Sequence, residues 1–159
     1  MEYNRIKATE YAKTWWNKRN PDFFDFENIG GDCTNFVSQC LYFGGLDMNF
    51  FDWYYKTANV RSYSWTGVNE LFVFLTNNKG AGPQAILTSQ DDVELGDIIQ
   101  LKRFDQPFFH HTALITKIEN QKIYFTCHTD DLLNFPLEYY PFDQIRFLKI
   151  TNWAKIMWW

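Results

Sequence analysis

The stretch "GGDCTNFVSQCL", Gly30 to Leu41, decides the fold. Two glycines and an aspartate run straight into a cysteine. From Cys33 onward, Phe36, Val37, Cys40 and Leu41 fall at offsets of three, four, seven and eight. That spacing predicts one face of a helix, with Cys33 at its first turn. Gly44 and Gly45 predict its end. A thiol at a helix N-terminus meets unpaired backbone N–H groups and the positive end of the macrodipole, and both favour the thiolate. Gly30 and Gly31 allow unusual backbone angles and leave room for a substrate beside the sulfur. The same N–H groups suit a developing oxyanion. The junction fits a nucleophile. The competing reading is a small buried cysteine at a helix start, with the glycines serving only the turn. Cys40, further along the same helical face, and Cys127, on a strand, read as packing.

Working outward, Ala8, Tyr11, Ala12, Trp15 and Trp16 follow helical spacing, so a first helix is expected over roughly Asn4 to Asn17. Pro21 breaks that pattern. "DFFDFENIGGD" is an aromatic loop that delivers the glycine pair. A short helix is expected near Val68 to Thr76, and "NNKGAGP" is a turn cluster. The second half changes character: "LGDIIQL", "HTALITKI", "KIYFTC" and "QIRFLKI" read as strands, with "ENQK" as a hairpin turn. Helices first and an antiparallel meander after them give an α+β class, with the cysteine helix packed on the sheet.

A length of 159 residues predicts one domain, 1–159, with a core that needs no staples. Aromatics make up 20% of residues, which implies an aromatic core or an aromatic-lined groove. A net charge of −4 without a cationic block argues against a nucleic-acid or anionic-membrane surface as main partner. Three cysteines cannot form a closed disulfide framework, and no CxxC or Cys/His zinc spacing occurs. No metal or cofactor is expected. "MEYNRIKATEYAKTWW" is amphipathic, not a signal peptide, and no apolar run reaches membrane-span length. The literal reading is cytoplasmic. An extracellular or cell-wall place stays open for an excised domain or for export by other means. The oligomeric state is not legible.

A nucleophilic cysteine needs a base. The histidines are His110, His111 and His128. If Ala113 and Ile115 share its face, His111 points toward the side that packs on the helix and His110 points away. His128 ends the next strand, so a short hairpin brings it near His111, as an orienting group beside a base. Asp130 and Asp131 lie near the same sheet end, as alternative orienters or as solvated turn residues.

"YNR" followed by "YA", then "GGDCTNFVSQCL", "GG", "YSW", "LGDII", "HTALIT" and "HTDD" resemble the bacterial putative amidase domain family. That family is grouped with the NlpC-type and CHAP-type cysteine peptidases of the papain-like superfamily. The resemblance runs from Tyr3 to about Asp131. It implies a circularly permuted papain-like core, Cys33 as nucleophile, His111 as general base and His128 as the third polar group. Asp32 and Gly31, just before the nucleophile, would shape the site and its oxyanion donors. Related enzymes hydrolyse amide bonds, commonly in peptidoglycan peptides, so a peptide or peptidoglycan fragment is the implied substrate. Acyl transfer on the same triad and a non-catalytic glycan- or peptide-binding module are the alternatives.

Overall fold

The computed structural model describes residues 2–152. Helix α1 (Arg5–Trp15) is followed by α2 (Cys33–Phe43), a small hairpin β1 (Tyr55–Thr57) and β2 (Val60–Arg61), then α3 (Tyr63–Thr66) and α4 (Val68–Asn77). Strands β3 (Ala85–Thr88), β4 (Ile98–Lys102), β5 (His111–Glu119), β6 (Lys122–Cys127), β7 (Leu132–Pro136) and β8 (Gln144–Ile150) form one sheet. Its order is β3-β8-β4-β5-β6-β7, and every pairing is antiparallel. The α+β class holds. The expected meander runs from β4 to β7, but β8 departs from it and inserts between β3 and β4. The "ENQK" turn is a tight hairpin: Glu119 pairs with Lys122, and Asn120 and Gln121 carry φ of 52° and 65°. That double left-handed geometry matches the twist of the strands it joins.

The sheet is covered on both faces. Ile98, Leu114, Leu148 and Ile150 pack with Ala8, Tyr11, Phe36, Val37, Cys40 and Leu41 of α1 and α2. Ile99, Leu101, Ala113, Ile115, Phe125 and Phe147 face the other way, under Leu137, Tyr140 and Phe142.

Helix α2 is buried on all sides from Cys33 to Leu41, not on one face as its spacing suggested. Its polar residues are therefore bound internally, as buried polar groups must be. Asn35 Oδ1 accepts from Trp65 Nε1 at 2.9 Å, Ser38 Oγ accepts from Trp53 Nε1 at 3.2 Å, and Gln39 Oε1 accepts from the Tyr11 hydroxyl at 2.5 Å. Part of the aromatic richness thus goes into a core stitched to this one helix, while Phe50, Phe51, Tyr63, Phe104, Phe108 and Tyr139 lie exposed. The early "YNR" and the later "LGD" hold each other. The Tyr3 hydroxyl donates to the Gly96 carbonyl at 2.8 Å, and Arg5 Nη1 pairs with the buried Asp97 at 2.7 Å. Breaking such a buried pair by removing one partner costs ~3–5 kcal/mol. Gly96 has φ +85°, and a Cβ there would meet the Tyr3 hydroxyl at 3.0 Å. These contacts fasten α1, and α2 behind it, to the sheet.

Candidate active site

Cys33 opens α2 and is 6% exposed, whereas Cys40 and Cys127 are fully buried. The Thr112 backbone N–H and the Thr34 hydroxyl, 3.8 Å away, are directed at its sulfur. Burial nevertheless raises the thiol above its ordinary value, and Asp32 adds to the rise. Desolvation therefore outweighs the helix terminus, contrary to the lowered thiol expected from position alone. Gly31 holds φ +97°, which brings the chain round to Asp32 with Thr129 close by.

His111 begins β5 and is 2% exposed. It does share a face with Ala113 and Ile115, but that face is the one turned away from α2, a correction to the expected direction. The ring stacks on Tyr140 at 5.7 Å and 10°, and meets Phe125 edge-on at 6.5 Å. Thr112 takes the opposite face and reaches Thr34 of α2 at 2.8 Å. The nucleophile thus adjoins the start of β5 through Thr112, the residue after His111. Burial, then His110 and Arg103, push the His111 imidazole down to about 3. Its Nε2 is buried and has no hydrogen-bond partner among the described residues. The ring is accordingly neutral near neutral pH, with a nitrogen unengaged. His110, beside it, is also lowered, by burial and by Arg103.

His128 does not orient His111. Continuing the Leu114–Thr126 pairing sets it across from Thr112, on the helix side of the sheet. There it stacks on Phe36 at 3.9 Å. Its Nδ1 meets Asp32 Oδ2 at 2.5 Å, and its Nε2 meets the Trp15 carbonyl at 2.7 Å. Both nitrogens are taken by acceptors, and neither is left for His111.

Asp32 is the centre of this second cluster. Its Oδ1 accepts from the Phe26 N–H and from Asn35 Nδ2, both at 2.8 Å. It does not cap α2 with its side chain. The first-turn N–H groups of α2 are therefore not consumed by the residue that ordinarily takes them. Asp131 is not a solvated turn residue either: Arg19 holds both its oxygens at 3.1 Å and also pairs with Asp25, Glu27 and Asp32. Sequence reasoning missed Arg19, Tyr140, Thr34 and Thr112. The first two carry no sequence signal for this role. The threonines stand inside the motifs "DCTNF" and "HHTAL" and are small, polar and next to the candidate pair.

Comparison with known proteins gives two kinds of match. A family model described as "Putative amidase domain" covers residues 2–151. The protein "Uncharacterized protein YhbB" of Bacillus subtilis (strain 168) is 36% identical over 121 residues, 72% of this chain and 37% of that protein. "Uncharacterized protein YjcM" of the same strain is 26% identical over 144 residues, 86% of this chain and 33% of that protein. The chain spans about a third of the length of these curated relatives. No solved structure matches.

Proposed function

The chain belongs to the family of putative amidase domains, and from that premise we propose that it is a cysteine amidohydrolase with Cys33 as nucleophile and His111 as general base. Amide hydrolysis in general is what the family description carries; the nucleophile, the base, a permuted papain-like core and a peptidoglycan-peptide substrate are our reading. One observation supports it above the others. The least buried of the three thiols sits at a helix start beside the strand that opens with a neutral histidine whose Nε2 has no partner among the described residues.

Both partners begin neutral, because burial raises the thiol and lowers the imidazole. His111 faces away from the body of α2, but Tyr140, stacked on its ring, lies within electrostatic reach of Cys33, and at this end of the sheet His111 Nε2 takes the Cys33 proton as the sulfur attacks the amide carbon. The carbonyl electrons move to oxygen, which the first-turn N–H groups of α2 receive. The imidazolium then gives its proton to the leaving nitrogen, and the C–N bond breaks to leave a thioester. Water, deprotonated by His111, attacks that thioester. The acid departs, and the sulfur recovers its proton. Tyr140 fixes the plane of the His111 ring by stacking. His128 acts at one remove, by holding Asp32 at the head of α2.

Mass spectrometry of purified peptidoglycan fragments, digested with the wild-type protein and with Cys33→Ala, tests the proposal. New amine and carboxyl ends are expected only with the wild type. Fragments left intact by both proteins would remove peptidoglycan as the substrate. Equal cleavage by both would remove Cys33 as the nucleophile.

A further inference from the structure

A buried chain of hydrogen bonds runs from β8 through the sheet to the head of α2. Arg146 Nε donates to Gln100 Oε1 at 2.8 Å. Gln100 Nε2 donates to the Val68 carbonyl at 2.8 Å and to Thr112 Oγ1 at 3.3 Å. Thr112 Oγ1 lies 2.8 Å from Thr34 Oγ1, which lies 3.8 Å from Cys33 Sγ. Gln100, Thr112 and Thr34 are all 0% exposed, so no solvent competes along the way.

The direction of this chain is fixed at its far end. A guanidinium only donates and a backbone carbonyl only accepts. These two one-way partners set the Gln100 amide oxygen toward Arg146 and its nitrogen toward Val68 and Thr112. Thr112 therefore receives a hydrogen from Gln100 and sends its own to Thr34. Thr34, its oxygen now engaged as acceptor, has its proton left over. Among the described residues, its remaining hydrogen-bond partner is the Cys33 sulfur. Arg146 is held firmly enough to act as the anchor. Its guanidinium lies between the rings of Phe72 and Phe109, at 3.7 and 4.0 Å, and Nη2 donates to Asn69 at 2.9 Å.

We infer that Thr34 is a positioning residue that donates its hydroxyl hydrogen to the Cys33 sulfur, in a direction imposed by Arg146, Gln100 and Thr112. The inference rests on Cys33 being the nucleophile and adds how its thiolate is held once His111 has taken the proton. The role is needed because the surroundings otherwise disfavour the anion. Burial and the Asp32 carboxylate both oppose it. Cys127 at the end of β6 and Tyr140 are within electrostatic reach of the sulfur, His111 opens the strand that carries Thr112, and His128 binds Asp32. Arg19 and Asp131 stand beyond Asp32. Burial keeps Cys127 and Tyr140 protonated and His111 neutral near neutral pH. The Thr112 N–H, the Thr34 hydroxyl and the Thr34 N–H are the donors that act on the sulfur in the opposite sense, and of these the hydroxyl is the side-chain donor that substitution can remove.

The test is the pH dependence of Cys33 alkylation by iodoacetamide, read by peptide mapping, for wild type, Thr34→Val, Thr34→Ala, Thr34→Ser and Gln100→Glu. Loss of a hydrogen bond to a charged group of this length should raise the midpoint by about one pH unit, and so slow labelling near neutral pH about tenfold. Thr34→Val and Thr34→Ala should both do this and lower kcat more than they change KM. Thr34→Ser, which keeps the hydroxyl, should stay within about threefold of wild type. Gln100→Glu accepts where the amide donated, so it should reverse the chain and raise the midpoint as well. A Thr34 needed only for packing would leave the midpoint unchanged. An unmoved midpoint in Thr34→Val and Thr34→Ala, or in Gln100→Glu, with Cys33 still labelled, overturns the inference. If wild-type Cys33 is not labelled, or Cys33→Ala keeps its turnover, it is the nucleophile reading that fails.

Discussion

Replacing Asp32 by alanine should destabilise the fold rather than merely slow a reaction. The Asp32 carboxylate is 1% exposed and receives the Phe26 N–H, Asn35 Nδ2 and His128 Nδ1, with Arg19 Nε 3.6 Å away. Alanine strands three donors in a space without solvent. Each such orphan costs ~1–3 kcal/mol, and breaking a buried charged pair costs ~3–5 kcal/mol. Relaxation of the loop before Cys33 recovers part of this, so a loss of about 4 kcal/mol is expected. For a chain of this size that corresponds to Tm lower by roughly 8–16 °C. Asp32→Asn should cost only about 1–2 kcal/mol, because the amide oxygen still accepts from Phe26 and Asn35 while its nitrogen donates to His128. His128→Ala should lose ~3–5 kcal/mol, since the ring also binds the Trp15 carbonyl and stacks on Phe36. The double variant should recover about 2 kcal/mol relative to the sum of the single changes. Urea unfolding followed by tryptophan fluorescence measures all four. An Asp32→Ala stability within about 1 kcal/mol of wild type, or simple additivity with His128→Ala, would refute the reasoning.

Among the thiols, iodoacetamide on the native protein should label Cys33 well before Cys40 or Cys127, which are fully enclosed; peptide mapping that finds either of the others first would exclude Cys33 as the accessible thiol. His111 should make stability pH-dependent. Its folded value of about 3 lies below the unfolded value of about 6.5, so the unfolded chain binds the proton more readily. Its contribution is present above about pH 6.5 and is lost as pH falls toward 3, on the order of 5 kcal/mol in all. Subtracting the Tm-versus-pH curve of His111→Gln should remove this slope, and superimposable curves would count against a buried neutral ring. Asp131→Ala should cost no more than about 1 kcal/mol in urea and leave kcat/KM within a fewfold, because its pair with Arg19 is partly exposed; a crippled variant would make Asp131 the missing orienter.

Much of the fold was legible because its signals are local. Helical spacing located α1, α2 and α4, and β-rich runs located β4, β5, β6 and β8 together with the "ENQK" turn. β3, β7 and the β1–β2 hairpin carry no such local signal. β3 and β7 are short and carry exposed or half-buried residues, so no buried alternation marks them. The facing of His111 is not legible in the sequence for a related reason. In β5 every residue from His111 to Thr116 is buried, so alternation separates two faces without saying which one carries the helix. The partners of His128 lie at Asp32 and Trp15, and no spacing rule joins residues so far apart in sequence. The thiol of Cys33 was expected low because position announces the dipole; the burial that outweighs it exists only after the core has closed over α2. The aromatic C-terminal stretch carries no spacing that assigns it a role, and residues 153–159 of it lie outside the described residues.

The most direct measurement is intact-mass spectrometry of a rapidly quenched reaction between the protein and a peptidoglycan-derived peptide amide. An acyl adduct is expected, equal in mass to the substrate less its leaving amine, mapping to the peptide that contains Cys33 and absent from Cys33→Ala. Undiminished turnover by Cys33→Ala, or an adduct on any other residue, would contradict catalysis by this cysteine.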